Sequence, residues 1–430
     1  MMEKRKYKLS DYCLHITDGE HASVDDDIQG DYFLLSNKNI IDGNIIIDKN
    51  DRKINEATFD KINKRILLEE NDVIISTVGT LGKTAVITGD INYTFQRSVG
   101  IIKPNPQILD SFYLKYLLDT DYYQRLLVDL SSGAIQKCIF ISTLKTLPIS
   151  LPPLPVQQKV ASVLSSLDKK IALNKQINQN LEALARQLYD YWFVQFDFPN
   201  EEGKPYKSSS GKMVYNPILK REIPEGWEVM SLGDVTEIYN GSTPTSTNEA
   251  YYNGDIVWIT PKDLSMQKEK FIYYGERTIT QEGYDSCSTH LLPINSILMS
   301  SRAPIGLIAI AKTELCTNQG FKSFVPKISN LHTYLYYYLQ QHMQQIEKLG
   351  TGTTFKEVSR EEISRYKVLI PSTEVLMSYE TKIVSTNEMQ FNIQKEIDVL
   401  TKQRDELLPL LMNGQVNFDL LVWIVIFARK

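Results

Sequence analysis

Residues 156–192 read VQQKVASVLSSLDKKIALNKQINQNLEALARQLYDYW. Pro152, Pro153 and Pro155 stand just before this stretch. Proline fits the first turn of a helix and is costly in its interior. Apolar residues step by fours and threes through Val160, Leu164, Leu167 and Ile171. They give way to Asn174 and Asn178, then resume at Leu181, Ala185, Leu188 and Trp192. That is the period of a coiled-coil seam, so the spacing predicts one long helix from just after Pro155 to about Trp192. At ~1.5 Å per residue, ~36 residues make a rod of ~54 Å.

The same seam recurs 219 residues later, as Tyr379, Ile383, Thr386, Gln390, Ile393, Ile397, Leu400, Arg404, Leu407 and Leu411. It predicts a second long helix from about Glu374 to Met412. The second copy places Ile393 and Ile397 where the first has Asn174 and Asn178. It places Thr386 and Gln390 where the first has Leu167 and Ile171. Two readings of these polar positions stay open. Buried, they specify register and partner at some cost in stability; otherwise they face solvent near an irregular crossing.

Outside the helices the chain also repeats itself. NDVIIS at 71–76 lies over NSILMS at 295–300, an offset of 224 that also carries Gly82 onto Gly306. Thr94 and Gln96 fall on Thr317 and Gln319 at 223, and YLKYLL at 113–118 on YLYYYL at 334–339 at 221. Gly133, Lys137 and Pro152 fall on Gly352, Lys356 and Pro371 at 219. Each copy runs in one order: short apolar stretches between Gly, Asn and Asp turns, which read as strands; a Tyr/Leu-rich helix (113–127, 333–348); a Gly-containing loop (131–138, 350–356); a strand ending in Pro; the long helix.

The fold class expected is therefore α+β. Two β-rich domains, 1–152 and 226–371, are joined by two long antiparallel helices, 153–196 and 372–416, in a pseudo-twofold tandem repeat. Paired in this way, the helices are expected to act as a ruler between the domains. Residues 197–225, rich in Gly, Pro, Ser and charge, read as an exposed connector. The tail, 417–430, contains LLVWIVIF at 420–427. Eight residues fall far short of the ~20 that span a bilayer. A terminal strand, a partner contact and a read-through tail all remain open.

Composition is that of an ordinary soluble protein, with 42% hydrophobic and 23% charged residues among 430. Tyrosine, at 24, is abundant, and it suits binding surfaces. The N-terminus has no apolar stretch behind its basic residues and does not read as a signal peptide. Cys13, Cys138, Cys287 and Cys316 form no CxxC and no Cys/His cluster, which argues against a zinc site and a disulfide framework and for reduced thiols in the cytoplasm. The five histidines, His15, His21, His290, His332 and His342, have no ligand spacing, so no metal site is expected.

Catalytic motifs fail one by one. GTLGKT at 79–84 lacks the phosphate-loop spacing, since Thr77 stands where the first Gly is needed. Asn216-Pro217 is followed by Ile218, so no amino-methyltransferase NPPY motif exists. Glu202-Gly203-Lys204 has the form of a nuclease pair without its strand context. No catalytic residue is expected.

At this point the chain resembles the specificity (S) subunit of type I restriction-modification systems, from about Tyr7 to Val416. The resemblance is carried by YFLLSNKNI (32–40), LPPLPVQQKV (151–160) with the helix through Tyr191, Trp192 and Phe193, and GKPYKSSSGKMV (203–214). IPEGWEV (223–229), GSTP (241–244), WITPKDL (258–264) and LLPLLMNG (407–414) complete it. It implies a non-catalytic, cytoplasmic subunit whose two β-rich domains are target-recognition domains, each reading one half of a split double-stranded DNA site. The helices would hold two modification methyltransferase subunits, and a restriction subunit would join them. S-adenosylmethionine, ATP and Mg would serve those partners, with no cofactor on this chain and no membrane.

Recognition domains vary within such a family, so the DNA-contacting residues must be nominated on chemistry. Base edges are read by Arg, Lys, Asn and Gln, and phosphates by Lys, Arg, Ser, Thr and backbone N–H. The equivalent loops supply Ser132, Gly133 and Lys137, and Thr353 and Lys356. Lys83, Gln96 and Arg97 join them in the first copy, and Lys262, Arg302, Asn318, Gln319 and Lys322 in the second. Helix pairing is assigned to Val160, Leu164, Leu167, Ile171, Asn174, Asn178, Leu181 and Leu188 with Ile383, Ile393, Ile397, Leu400, Leu407 and Leu411. A net charge of −5 counts mildly against DNA binding but does not exclude local basic surfaces. Two other classes remain: a two-domain protein-interaction scaffold that does not touch DNA, and a fused restriction-methylation enzyme, against which the missing motifs weigh.

Overall fold

The structure, a computed structural model, describes residues 7–133, 137–302, 304–352 and 356–415. The tail 417–430 and the nominated Thr353 lie outside the described residues. Two compact units emerge: unit 1 is residues 1–173 with 397–430, and unit 2 is residues 174–396.

Unit 1 is built on a four-stranded antiparallel sheet in the order Cys13–Asp18, Val99–Pro104, Val73–Ser76, Thr84–Val86. A three-stranded sheet, Lys53–Ile54, Tyr32–Leu35, Tyr93–Phe95, packs against one face of it, with the last two strands parallel. Every residue of Val73–Ser76 is buried. Successive side chains of a strand point to opposite faces. Ile74 accordingly joins Leu35, Phe95 and Ile101 between the sheets, while Val73 and Ile75 join the helical core on the other side. That second core takes in Ser111–Leu118 and the start of the first long helix.

Unit 2 repeats the plan of the two packed sheets. Its large sheet runs Thr236–Asn240, Phe321–Pro326, Ile297–Ser300, Ile308–Ala311, with Phe271–Ile272 added parallel at one edge. Its small sheet is Arg277–Ile279, Tyr252–Ile259, Cys316–Thr317, again with a parallel pair. The molecule is thus an α+β tandem repeat. Left-handed backbone recurs at matched places, Asn71 with Asn295 and Gly82 with Gly306. The Tyr/Leu-rich helix expected in each copy is broken in two, as Ser111–Leu118 with Asp121–Asp129 and Leu331–Gln341 with Met343–Glu347.

The first long helix is Leu154–Tyr189, with Pro155 in its opening turn. It passes into a π-helical turn, Asp190–Val194, so Trp192 sits on that turn and not on the helix proper. The second is Thr373–Met412. In unit 2 the two run antiparallel: Asn174 meets Glu396 (2.9 Å), Glu182 meets Gln390 (3.1 Å), and Phe193 packs edge-on against Tyr379. In unit 1, Asp168 meets Arg404 (3.2 Å), and Val160 and Leu164 share a core with Leu407 and Leu411. The connector is more ordered than its composition suggests. It forms a hairpin, Met213–Asn216 with Arg221–Pro224, and Phe198 stacks on Tyr206 and Trp227.

Candidate nucleic-acid interface

Three loops converge in each unit. In unit 1 the strand Val73–Ser76 ends in a tight turn. There the N–H groups of Gly82 and Lys83 donate to Ser76 O and Oγ (3.0 and 2.8 Å), and Ser76 Oγ donates to Thr80 O (2.6 Å). In unit 2, 224 residues on, Gly306 and Leu307 donate to Ser300 in the same way (3.0 and 2.9 Å), and Ser300 Oγ donates to Pro304 O (2.6 Å). GTLGKT is therefore a turn built by Gly79 and Gly82, both with positive φ.

The second loop crosses this turn: Thr77 N–H donates to Ser98 O (2.9 Å), and Ser301 N–H to Gly320 O (2.8 Å). The third closes over it. Ser132 and Cys138 exchange a backbone hydrogen-bond pair, as do Thr351 and Glu357. Ile139 then donates to Thr77 O (2.8 Å) and Val358 to Ser301 O (2.9 Å). Thr77 and Ser301 are the matched hubs.

This pattern corrects the sequence alignment of the second loop. Gln96 N–H donates to Leu35 O and Asn318 N–H to Ile259 O, so the offset here is 222. Gln96 corresponds to Asn318 and Arg97 to Gln319, one residue away from the 223 register. A pair of glycines, neither nominated from the sequence for this role, permits the approach. A Cβ on Gly19 would stand 2.2 Å from Phe95 O, and one on Gly241 2.1 Å from Asn318 O.

The nominated residues fall into distinct groups. Lys83, Arg97, Ser132, Gly133 and Lys137 are exposed around Thr77, with Gln96 half-buried among them. Around Ser301, Lys356 is exposed, Arg302 and Asn318 are half-buried, and exposed Gln319 hydrogen-bonds Thr243. Lys262 is exposed and paired with Glu276 (2.5 Å). Lys322 is a correction: its side chain is 5% exposed and its ammonium is neutralised by Glu357 (3.1 Å) beside Ser301 Oγ (3.3 Å). It is a structural cation with no face to offer a ligand. Sequence could not show this, because the matched position in unit 1 is Gly100.

Gln96 and Arg97 line a cleft of ≈ 330 Å³ with Glu20, His21 and Arg52. The backbone N–H of Ala22 (2.8 Å), then the Arg65 guanidinium, hold the Glu20 carboxyl below the usual carboxylate range against the opposing effect of burial. Arg52 is tied to Asp26 (2.6 Å) and Val24 O (2.6 Å).

On the long helices, Val160, Leu164, Ile171, Asn174, Ile383, Ile397, Leu400 and Leu411 are buried. Leu167, Asn178, Leu181, Leu188, Ile393 and Leu407 are half-buried. Of the polar seam positions, Asn174, Asn178 and Gln390 are bonded inside the fold. Asn178 donates to Glu269 (3.3 Å), and Glu182 accepts from Gln390 and from Tyr337 OH (3.0 Å). Lys270, outside either helix, is their hub: its ammonium donates to Tyr337 OH (2.8 Å), Asn387 (2.7 Å) and Gln390 (3.3 Å). Burial pushes its pKa down to about 8 despite Glu182 at 3.6 Å. Unit 1 has a counterpart, in which Tyr116 OH and Arg404 both donate to Asp168 (2.6 and 3.2 Å).

Among the described residues, no group of three or more His, Cys, Asp or Glu is placed to hold a metal. No helix there is long and apolar enough to cross a membrane.

Comparison with known proteins joins these observations. The specificity subunit of restriction enzyme HindI from Haemophilus influenzae is 26% identical over 405 residues, spanning 81% of this chain and 87% of that one. That of MjaIX from Methanocaldococcus jannaschii is 36% identical over 200 residues, just under half of either chain (46% of each). The crystal structure of a type I restriction-modification S subunit from M. genitalium shares the fold. Its TM-score is 0.61 at 16% identity, over 96% of this chain and 97% of that one. The Type I restriction modification DNA specificity domain matches twice, at residues 26–183 and 224–406, and to that family this chain belongs.

Proposed function

We propose that this chain is the DNA sequence-specificity subunit of a type I restriction-modification complex and performs no chemistry itself. Each unit reads one half of a bipartite duplex target. The observation that carries this reading is the duplicated meeting of three loops at Thr77 and at Ser301. One reading surface present twice in a chain suits a target in two parts. Phosphate contact needs only local basic surface, which Lys83 and Lys137 supply in unit 1 and Lys356 in unit 2.

The long helices carry two methyltransferase subunits, and the restriction subunit joins that assembly in the cytoplasm. Large apolar side chains exposed on these helices support docking: Leu173, Leu184, Met377, Val384, Met389 and Val399. S-adenosylmethionine, ATP and Mg are used by the partners.

Methylation-aware sequencing of host DNA, with and without this gene, tests the proposal. Modified adenines in a two-part motif should vanish when the gene is removed, and a methyltransferase should co-purify with the chain. An unchanged methylation map, with other proteins co-purifying, would replace this reading with that of a protein-interaction scaffold.

A further inference from the structure

Resting on that reading, a division of labour inside the loop cluster follows. The turn Gln96-Arg97 is pinned from both sides. Arg97 N–H donates to Glu20 O (2.9 Å), Gln96 N–H to Leu35 O (3.0 Å), and Thr77 Oγ1 to Arg97 O (3.4 Å). Gly19 permits this approach, and Gly241 permits the same approach to Asn318 in unit 2. Two rigid turns therefore present side chains at equivalent points: a carboxamide and a guanidinium in unit 1, and two carboxamides, Asn318 and Gln319, in unit 2. The Gln96 and Arg97 side chains make no hydrogen bond or ion pair among the described residues.

The Gln96-Arg97 site suits phosphate less well than the lysine loops do, although Arg52 lines it and Arg65 faces Glu20 at 3.8 Å. Glu20 places an ionised carboxylate in the cleft that Gln96 and Arg97 line. A carboxylate repels phosphate and accepts from the amino groups of adenine or cytosine. The Lys-bearing loops beside it, with Lys83 and Lys137, have no such acid among the residues that form their turns.

We propose that the two turns, Gln96-Arg97 and Asn318-Gln319, are the base-reading elements of their respective half-targets, and that the neighbouring lysine loops hold phosphate. Gln96 matches the adjacent donor and acceptor of an adenine edge, and Arg97 the paired acceptors of guanine. Because the two turns differ in chemistry, the halves of the target differ in sequence. Asn318 commits its oxygen to Gly320 N–H (2.9 Å), leaving its NH2 as a donor.

The test uses the full chain co-expressed with the host methyltransferase subunit, and reads the modified motif by methylation-aware sequencing of a randomised duplex library. Arg97→Lys keeps the charge and loses the two-pronged guanidinium. It should relax discrimination by about tenfold at one position of one half-target, with the other half and the salt dependence unchanged. Gln319→Ala should do the same in the other half only. Uniform weakening on all sequences, or an unchanged motif in both variants, overturns the assignment while leaving the specificity-subunit reading intact. A wild-type chain that directs no methylation removes both.

Discussion

Gln390 donates to Glu182 across 3.1 Å where one long helix faces the other in unit 2, and Lys270 lies behind them at 3.3 and 3.6 Å. The Lys270 side chain is 6% exposed. Removing Glu182 leaves a buried ammonium without its anion, a change that costs about 3 kcal/mol in such settings. Glu182→Leu should lower the urea midpoint of unit 2 accordingly, and Lys270→Met, which takes away the partner of Asn387 and Gln390, should lower it as well. Combining Glu182→Leu with Lys270→Met should recover most of the loss. A double variant as unstable as the sum of the singles would show that the network is not coupled.

His332 predicts an acid-sensitive limb. Burial first, then the ammonium groups of Lys312 and Lys270, hold its pKa at about 4, so its 3.4 Å approach to Glu380 is a neutral contact. The unfolded chain binds a proton at about 6.5 that the native state refuses. Stability is therefore lost as pH falls from about 6.5 to about 4, by about 3 kcal/mol in all. Glu380, with its pKa raised by burial, works in the opposite direction. His332→Leu should flatten this limb when urea midpoints are compared at pH 7 and pH 4.5. Parallel curves for variant and wild type would assign the effect elsewhere.

Tyr334 and Tyr379 are both fully buried, yet their hydroxyls differ. Tyr334 OH donates to Leu369 O, while Tyr379 OH has no partner among the described residues. Tyr379→Phe should leave stability unchanged or raise it by about 1 kcal/mol, because a buried unpaired hydroxyl is removed and the ring stays. Tyr334→Phe should lower it by about 1 kcal/mol. Thermal melts of the two variants decide the matter.

Lys137 and Lys356 stand at the same point of the third loop in each unit and are exposed. Lys137→Ala and Lys356→Ala should each weaken duplex binding uniformly across sequences and reduce the slope of log affinity against log salt by about 1. An unchanged slope in both variants would remove these loops from the phosphate backbone.

Much of the architecture was legible because periodicity and repetition are local properties of a sequence. The seam from Val160 to Leu188 and the offset that carries Asn71 onto Asn295 needed no coordinates. What escaped depends on contacts through space. Gly19 matters only because Phe95 and Gln96, some 76 residues on, lie against it. Lys322 reads as a DNA-contacting residue in the sequence, but Glu357 beside it neutralises its charge. The polar seam had two readings because its hub, Lys270, belongs to neither helix. The register of the second loop slipped by one because the length difference between the copies falls between Lys83 and Phe95.

The three tryptophans among the described residues, Trp192, Trp227 and Trp258, are all buried in unit 2. The fourth, Trp423, lies outside the described residues. Replacing it with Phe leaves indole emission as an optical label on unit 2 alone, with unit 1 dark. Unfolding followed by that emission, set against far-ultraviolet dichroism from the whole chain, then shows whether the two halves melt together or in turn.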